Sequence, residues 1–396
     1  MALKLDAAKW RKMRGMQRLL DALGASEGLT RYVGGGVRDD LLGLPISDID
    51  LATRISPDEV IQRLEAARIK AIPTGIDHGT VTAISDGHSF EITTLRRDVT
   101  TDGRRAVVAF TDDWKEDAAR RDFTINALSA DPLTGELFDY FEGIRDLQRR
   151  HIRFIGDPLQ RIAEDHLRIL RFFRFHARFD GGEPDAEALA ACTSRANDLM
   201  ALSRERIAEE LLKLLALPDP SSTLEIMVEG SILKPVLPEI TRDRVRNLKA
   251  LIESERRAGF EPDPLRRLAA LLPADPEIAD DVAARLRLSN KARKRIASAV
   301  EPSLGAEPRR LAYRIGVEAA VDRLLLAGKL GDATSVASWS PPRLPVRGGM
   351  LISRGLPEGP IVARTLRKIE ERWVEAGFPS GTEFDQIVET ALRTAV

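Results

Sequence analysis

The chain has 396 residues, 43% hydrophobic and 31% charged, with Lys+Arg 60 against Asp+Glu 61 and a net charge of −1. That length predicts two or more domains, and the balanced charge excludes a generally polybasic protein, so any nucleic-acid contact must come from local patches. A single cysteine, Cys192, excludes an intrachain disulfide framework and fits a reducing cytosol; with no apolar run of transmembrane length and no signal-like apolar core in MALKLDAAKWRKM, a soluble cytoplasmic protein with no membrane partner is expected.

In chain order, residues 1–30 read as amphipathic helix leading to Leu19, Leu20 and Leu23. Tyr32 and Val33 end a short strand. Gly34, Gly35 and Gly36 then allow a sharp turn and a close backbone approach to a ligand. Residues 37–42 favour helix, with Gly43 and Pro45 as stop signals. A glycine turn opening a helix aims backbone N–H groups at one spot, which suits phosphate. A second strand is expected over 46–52, with Asp48 and Asp50 on one face. Two carboxylates so placed repel unless a cation lies between them, and hard oxygen ligands favour magnesium.

Ser56-Pro57-Asp58-Glu59 is a helix start, with a Ser cap and Pro at the first helical position. Residues 80–84 and 89–95 form a hairpin around Asp86-Gly87. Glu91 lies on its second strand, either as an exposed edge charge or as a third acid beside the Asp pair. Residues 96–113 are polar and Gly-containing and read as a mobile loop before a helix containing Asp117. Arg120-Arg121-Asp122-Phe123-Thr124-Ile125-Asn126 places charges inside an apolar stretch, and a Gly-turned hairpin is expected over 133–140.

From Pro158 the periodicity is helical to the end. One helix is expected over 161–175, RIAEDHLRILRFFRF. It places Asp165 and Arg168 at i, i+3 on a shared face, with Arg171 and Arg174 further along. The pair is either a mutual salt bridge or an acceptor and a donor fork presented to a base edge. Ser203 caps a helix whose Ile207, Leu211 and Leu214 pack inward. Residues 285–295 are the most basic cluster, either a solvated face or a track for RNA phosphates. Gly355-Leu356-Pro357-Glu358-Gly359-Pro360 leads into the last long helix, through Trp373. There is no zinc-type Cys/His spacing and no P-loop lysine motif.

Joined in order, G-G-x-V-R-D and D-I-D-L-A-T resemble the polymerase-beta type of nucleotidyltransferase. Together with R-R-D-F-T-I-N-A-L and E-D-x-L-R-x-L-R-x-x-R-F they resemble its class II branch, the tRNA CCA-adding enzymes and bacterial poly(A) polymerases. The resemblance implies an α+β fold. A mixed-sheet head with flanking helices (1–150) would be followed by an all-α neck (151–217) and an all-α body and tail (218–396).

It implies transfer from CTP, twice, and then ATP to a tRNA 3′-hydroxyl, with Mg2+ held by Asp48 and Asp50 and with Glu91 as a third acid. Gly34, Gly35 and Arg38 would hold the triphosphate. Arg121 would face phosphate and Asp122 the ribose, with Asn126 beside them. Asp165 and Arg168 would choose the base, with Arg171 and Arg174 as phosphate or cleft contacts. Loop 96–113 would help the change from C to A, and the helical part would grip the acceptor and T arms. Poly(A) synthesis, partial CC or A addition and an inactive RNA-binding protein are the alternatives. The A-T-R-I-S-P-D-E-V that follows Asp50 is unlike the basic aromatic stretch of the poly(A) polymerases. The full-length loop and the intact acid pair disfavour the other two.

Overall fold

The computed structural model describes residues 4–46, 48–102, 105–179, 182–303 and 307–395. The chain divides into two compact units, residues 1–210 with 229–236, and residues 211–228 with 237–396.

The first unit is built on a seven-stranded sheet in the order β3-β4-β5-β2-β1-β8-β9. Its strands are β1 (Thr30–Val33), β2 (Asp50–Thr53), β3 (Lys70–Gly75), β4 (Thr80–Ser85), β5 (His88–Thr94), β8 (Ser129–Ala130) and β9 (Leu137–Phe138). Only β2 and β5 pair in parallel, and Asp50 lies directly beside Glu91 in that pairing. β4 shows why the sequence makes sheet here: Val81 and Ala83 are buried while Thr80, Thr82 and Ile84 are half-buried, the period-two pattern of a pleated strand.

The N-terminal helix is two short ones, α1 (Ala7–Arg11) and α2 (Met16–Ala22), with Leu19, Leu20 and Leu23 fully buried. Gly15 separates them at φ +83°, where a Cβ would stand 2.6 Å from the Ser85 carbonyl oxygen, so only glycine lets the chain pass β4 this closely. Helix α3 (Gly35–Leu41) follows β1, and α4 (Pro57–Ala66) starts as expected, the Ser56 hydroxyl accepting from the Glu59 N–H.

Further expectations change. Segment 96–113 is not an irregular loop: β6 (Arg96–Asp102) and β7 (Arg105–Phe110) pair as a separate two-stranded sheet, and residues 103–104 lie outside the described residues. Its Val107, Val108 and Phe110 carry the β propensity that the flanking charges mask. Strand β2 begins at Asp50 rather than at residue 46, so Asp48 precedes the ladder. The helix expected over 161–175 is two, α7 (Pro158–Glu164) and α8 (Arg168–Arg178), following α5 (Trp114–Ala119) and α6 (Gly143–Gln148).

The break falls at Asp165, extended at φ −153° and ψ 107°, whose carboxylate accepts from the Leu167 N–H. Aspartate competes for local backbone donors in this way, and a second start results within an apolar periodic run. Two further helices, α9 (Ala186–Ser194) and α10 (Arg204–Leu215), complete this region. Helix α8 seats Phe172 and Phe175 against Phe123 and Phe154, with ring centroids 5.5 Å apart for Phe123–Phe175 and 5.9 Å for Phe154–Phe172.

The described residues of the second unit are helical, with no strand after residue 158. Its interior contains ions as well as hydrocarbon. Glu255, 1% exposed, accepts from Arg266 at 2.7 Å and Arg267 at 2.9 Å. Arg267 also donates to the Leu215 carbonyl at 2.9 Å. The basic cluster is largely neutralised: Arg285 pairs with Glu239, Arg293 with Asp280, and Arg295 with Asp263 and Asp322. Arg287, Lys291 and Lys294 remain exposed. Helix Pro360–Glu375 is not the last, because Thr382–Arg393 folds back on it, burying Phe384 and Val388 with Ile369 and Trp373. Among the described residues no helix is long and apolar enough to cross a membrane.

Candidate active site

A cleft of about 410 Å³ opens in the first unit, lined at one end by Gly34, Gly35 and Asp50 and at the other by Asp165, Arg168 and Arg171. Gly34 sits at φ +73°, and a Cβ there would meet Arg121 Nη1 at 3.0 Å and Asp50 Oδ2 at 4.0 Å. The missing side chain therefore leaves backbone, carboxylate and guanidinium around one open volume. Burial, the neighbouring Glu91 and Asp48 raise the Asp50 pKa, while Arg121 opposes the shift. Asp48 is exposed and lines an adjacent cavity instead.

The middle of the cleft is a buried hydrogen-bonded wall. Arg38, 4% exposed, donates to Asp39 at 2.8 Å and to the Asn126 side-chain oxygen at 2.5 Å. Arg178 donates to the same Asp39 at 2.9 Å. Arg38 thus arrives already paired, fixing Asn126, and it also lines the cleft. Asn126 in turn donates to Asp122 at 2.8 Å, and Arg171 binds the other Asp122 oxygen through Nε at 2.7 Å. Burial would raise the Asp122 pKa, but Arg171, Asn126 and the Phe123 N–H together hold it below the usual carboxylate range. Arg121 reaches the Asn126 carbonyl at 3.3 Å and Asp117 at 3.5 Å, both long contacts that leave donors for a ligand.

At the far end, the side chains of Asp165 and Arg168 do not pair with each other. Asp165 accepts from Arg206 at 2.7 Å, and Arg168 binds Glu164 at 2.5 Å and the Arg120 carbonyl at 3.1 Å. Arg174 turns to Glu210 at 2.6 Å over the Phe175 ring and does not line the cleft.

Against known families, residues 30–153 match the family described as Poly A polymerase head domain, and residues 183–244 match the one described as Probable RNA and SrmB-binding site of polymerase A. The mitochondrial CCA tRNA nucleotidyltransferase 1 of Mus musculus is 34% identical over 404 residues, covering 95% of this chain and 90% of that protein. The chain belongs to the CCA-adding tRNA nucleotidyltransferase family. The CCA-adding enzyme of Streptococcus gordonii is 33% identical, with 89% of this chain and 90% of that protein covered. The crystal structure of the Bacillus stearothermophilus CCA-adding enzyme in complex with CTP superposes with a TM-score of 0.75 at 26% identity, covering 96% of this chain and 98% of that one.

Like the rest of its family, this CCA-adding family member is a nucleotidyltransferase, and the α+β expectation holds. The sequence reading missed several residues that build the cleft. Arg120 and Phe175 line it, Arg206 and Glu164 hold the two candidate base readers, and Asp39 orients Arg38. Glu164 and Asp39 stand inside the motifs themselves. Arg206 carries no local signal linking it to Asp165, 41 positions away. For a divalent cation the donor set fits: Asp50 is raised in pKa first by burial and then by Glu91 and Asp48, and a cation relieves both the desolvation of the charge and the repulsion. Among the described residues no three His, Cys, Asp or Glu side chains converge as a closed metal cage, so ligand oxygens would have to complete such a site.

Proposed function

We propose that this protein adds C, C and A to tRNA 3′ ends from CTP and ATP in the cytoplasm, with Mg2+ as cofactor. The observation that carries the reading is one cleft containing a glycine turn, an unneutralised carboxylate and a donor–acceptor pair at opposite ends. The triphosphate lies at the Gly34–Gly35 turn, where Arg121 offers donors. The ribose meets Asp122 and Asn126, both fixed by Arg38 and Arg171. The base reaches Asp165 and Arg168.

Their chemistry explains the substrate pair. Cytosine and adenine both present an exocyclic N–H₂ donor beside a ring-nitrogen acceptor, which matches an aspartate beside an arginine. Uracil and guanine present the reverse order and meet like against like. Rejection at buried polar sites reaches about 10⁴-fold. Asp165 and Arg168 must exchange Arg206 and Glu164 for the base.

Asp50 and Asp48, with Glu91 alongside, would hold the metal, which when bound neutralises triphosphate charge and lowers the pKa of the attacking hydroxyl. The hydroxyl oxygen bonds to the α-phosphorus as the bridging α–β bond breaks and pyrophosphate leaves. The protein's share is positioning and charge placement. Residues 1–150 serve as head, 151–217 as neck and 218–396 as body and tail, the last gripping the acceptor and T arms by shape and backbone. The β6–β7 hairpin assists the change from C to A.

The test is labelled CTP and ATP incorporation, with MgCl₂, into transcripts lacking CCA, ending in CC and ending in CCA. Extension of the first two and not the third is expected. ATP addition beyond CCA would indicate a poly(A) polymerase, and no incorporation would indicate a binding protein.

A further inference from the structure

Helix α8 lays two rings against the guanidiniums that hold the wall of the cleft. Phe175 is 4% exposed and lines the cleft. Around its ring centroid stand the guanidinium carbons of Arg38 at 5.1 Å, Arg171 at 5.4 Å and Arg174 at 4.4 Å. Phe179 stacks on Phe175 at 6.2 Å and 9°, with Arg38 at 5.5 Å and Arg178 at 5.7 Å from its own ring. We propose that Phe175 is a positioning residue for ribose recognition. Its π face sets the guanidinium planes of Arg38 and Arg171, and through them the Asn126 and Asp122 groups that tell a ribonucleotide from a deoxyribonucleotide. The inference rests on the nucleotidyltransferase reading above.

A guanidinium donates only in its own plane. Hydrogen bonds therefore fix where its N–H groups point and leave the plane free to roll about the bonded edge. Arg38 uses Nε and Nη2 on Asp39, at 2.8 Å and 3.0 Å, and Nη1 on Asn126 at 2.5 Å. Arg171 binds Asp122 through Nε at 2.7 Å and Nη2 at 2.5 Å. In both residues the faces are left over, and a face is what an aromatic ring attracts, most strongly where water is excluded. The ring is itself held, because Phe123 meets it edge-on at 5.5 Å and 71°. Asn126 and Asp122, joined to each other at 2.8 Å, are thus gripped from either side by arginines that share one ring. A 2′-hydroxyl both donates and accepts, so its absence leaves buried polar groups unpaired, and the penalty lasts only while those groups cannot shift to find other partners. A leucine at 175 would fill much of the space and offer no negative face.

The experiment uses the full chain and a transcript lacking CCA, with MgCl₂, and reads kcat/KM for CTP over dCTP. Site-specific replacement of Phe175 by mono-, di- and trifluorinated phenylalanine keeps the ring shape and drains charge from its face. The CTP/dCTP ratio is expected to fall stepwise, to about ten-fold below wild type in the trifluorinated chain, the loss of roughly two desolvated cation–π contacts, and to fall chiefly through a higher KM for CTP. Phe175→Leu is expected to match the trifluorinated chain. Phe173 is a buried neighbour whose ring meets Phe172 at 5.1 Å, with no guanidinium over it among the described residues. The same trifluorinated residue at Phe173 is expected to leave the ratio unchanged. A ring that only fills space would give wild-type ratios in every fluorinated chain, and that result would overturn the inference whether or not Phe175→Leu folds. An equal fall from position 173 would overturn it too. A wild-type protein that incorporates CTP and dCTP equally well would remove this inference alone, whereas one that incorporates neither CTP nor ATP would remove the nucleotidyltransferase reading and this inference with it.

Discussion

Asp50 shows how a residue can be bad for the fold and suited to the proposed site. Its pKa is raised by burial and by Glu91, so the fold favours its neutral form. Below the unfolded value of about 3.9 both states are protonated and nothing is lost; as pH rises through the higher folded value, the metal-free protein loses stability. Asp50→Asn should therefore melt at a higher temperature than wild type at pH 7, with the difference vanishing near pH 4. The same variant should lose roughly 10²–10³-fold or more in incorporation, as removal of a transition-state charge partner does, and MgCl₂ should no longer raise its melting temperature. Asp165 and Arg168 make a different residue-scale prediction. Asp165→Ala should leave Arg206 without its carboxylate partner and narrow the CTP-over-UTP preference by about 10- to 100-fold, read as the ratio of kcat/KM values.

At the scale of elements, the junction of α7 and α8 sets where Asp165 and Arg168 stand in the cleft. A continuous helix would put Asp165 and Arg168 on one face at fixed spacing. The break instead lets Asp165 reach Arg206 on α10 while Arg168 stays with Glu164 on α7. The wall beneath is held by charge-assisted hydrogen bonds. Asp122→Asn should destabilise the protein at pH 7 by about 2 kcal/mol, the scale of hydrogen bonds to charged groups. Because the folded Asp122 pKa is depressed, that stability is present above the unfolded value of about 3.9 and fades as pH falls through the lower folded value. Denaturant titrations at pH 7 and pH 3 check the sign. The β6–β7 hairpin is anchored at its base, where Asp117 accepts from the Arg96 N–H at 3.2 Å and the Leu95 carbonyl from the Thr111 N–H at 3.0 Å. Replacing residues 98–108 by two glycines should spare C addition and slow A addition about ten-fold or more, measured on the transcript ending in CC.

Over the whole molecule, the two units rest on different interiors. The first buries a sheet and an aromatic cluster, and the second closes helices over paired charges. Breaking a buried ion pair leaves its partner uncompensated, so Glu255→Ala should destabilise the helical unit by about 3–5 kcal/mol. Calorimetry would show the lowered transition, and retained CTP binding would show the first unit intact. What the sequence by itself determined is local: the glycine turn, the Ser56 cap, the alternation of β4, the helical texture after Pro158 and the motifs that carry the family resemblance. Each follows from propensity and spacing within a few residues. Only the tertiary structure decided which charges meet. Arg38 is held by Asp39 and Asn126, Asp165 accepts from Arg206, Arg174 pairs with Glu210, and Asp48 is exposed while Asp50 is half-buried at the cleft. A charged side chain has many partners of opposite sign in this sequence, and burial, which strengthens the nearest pair and removes competition from water, selects among them only once the chain has folded.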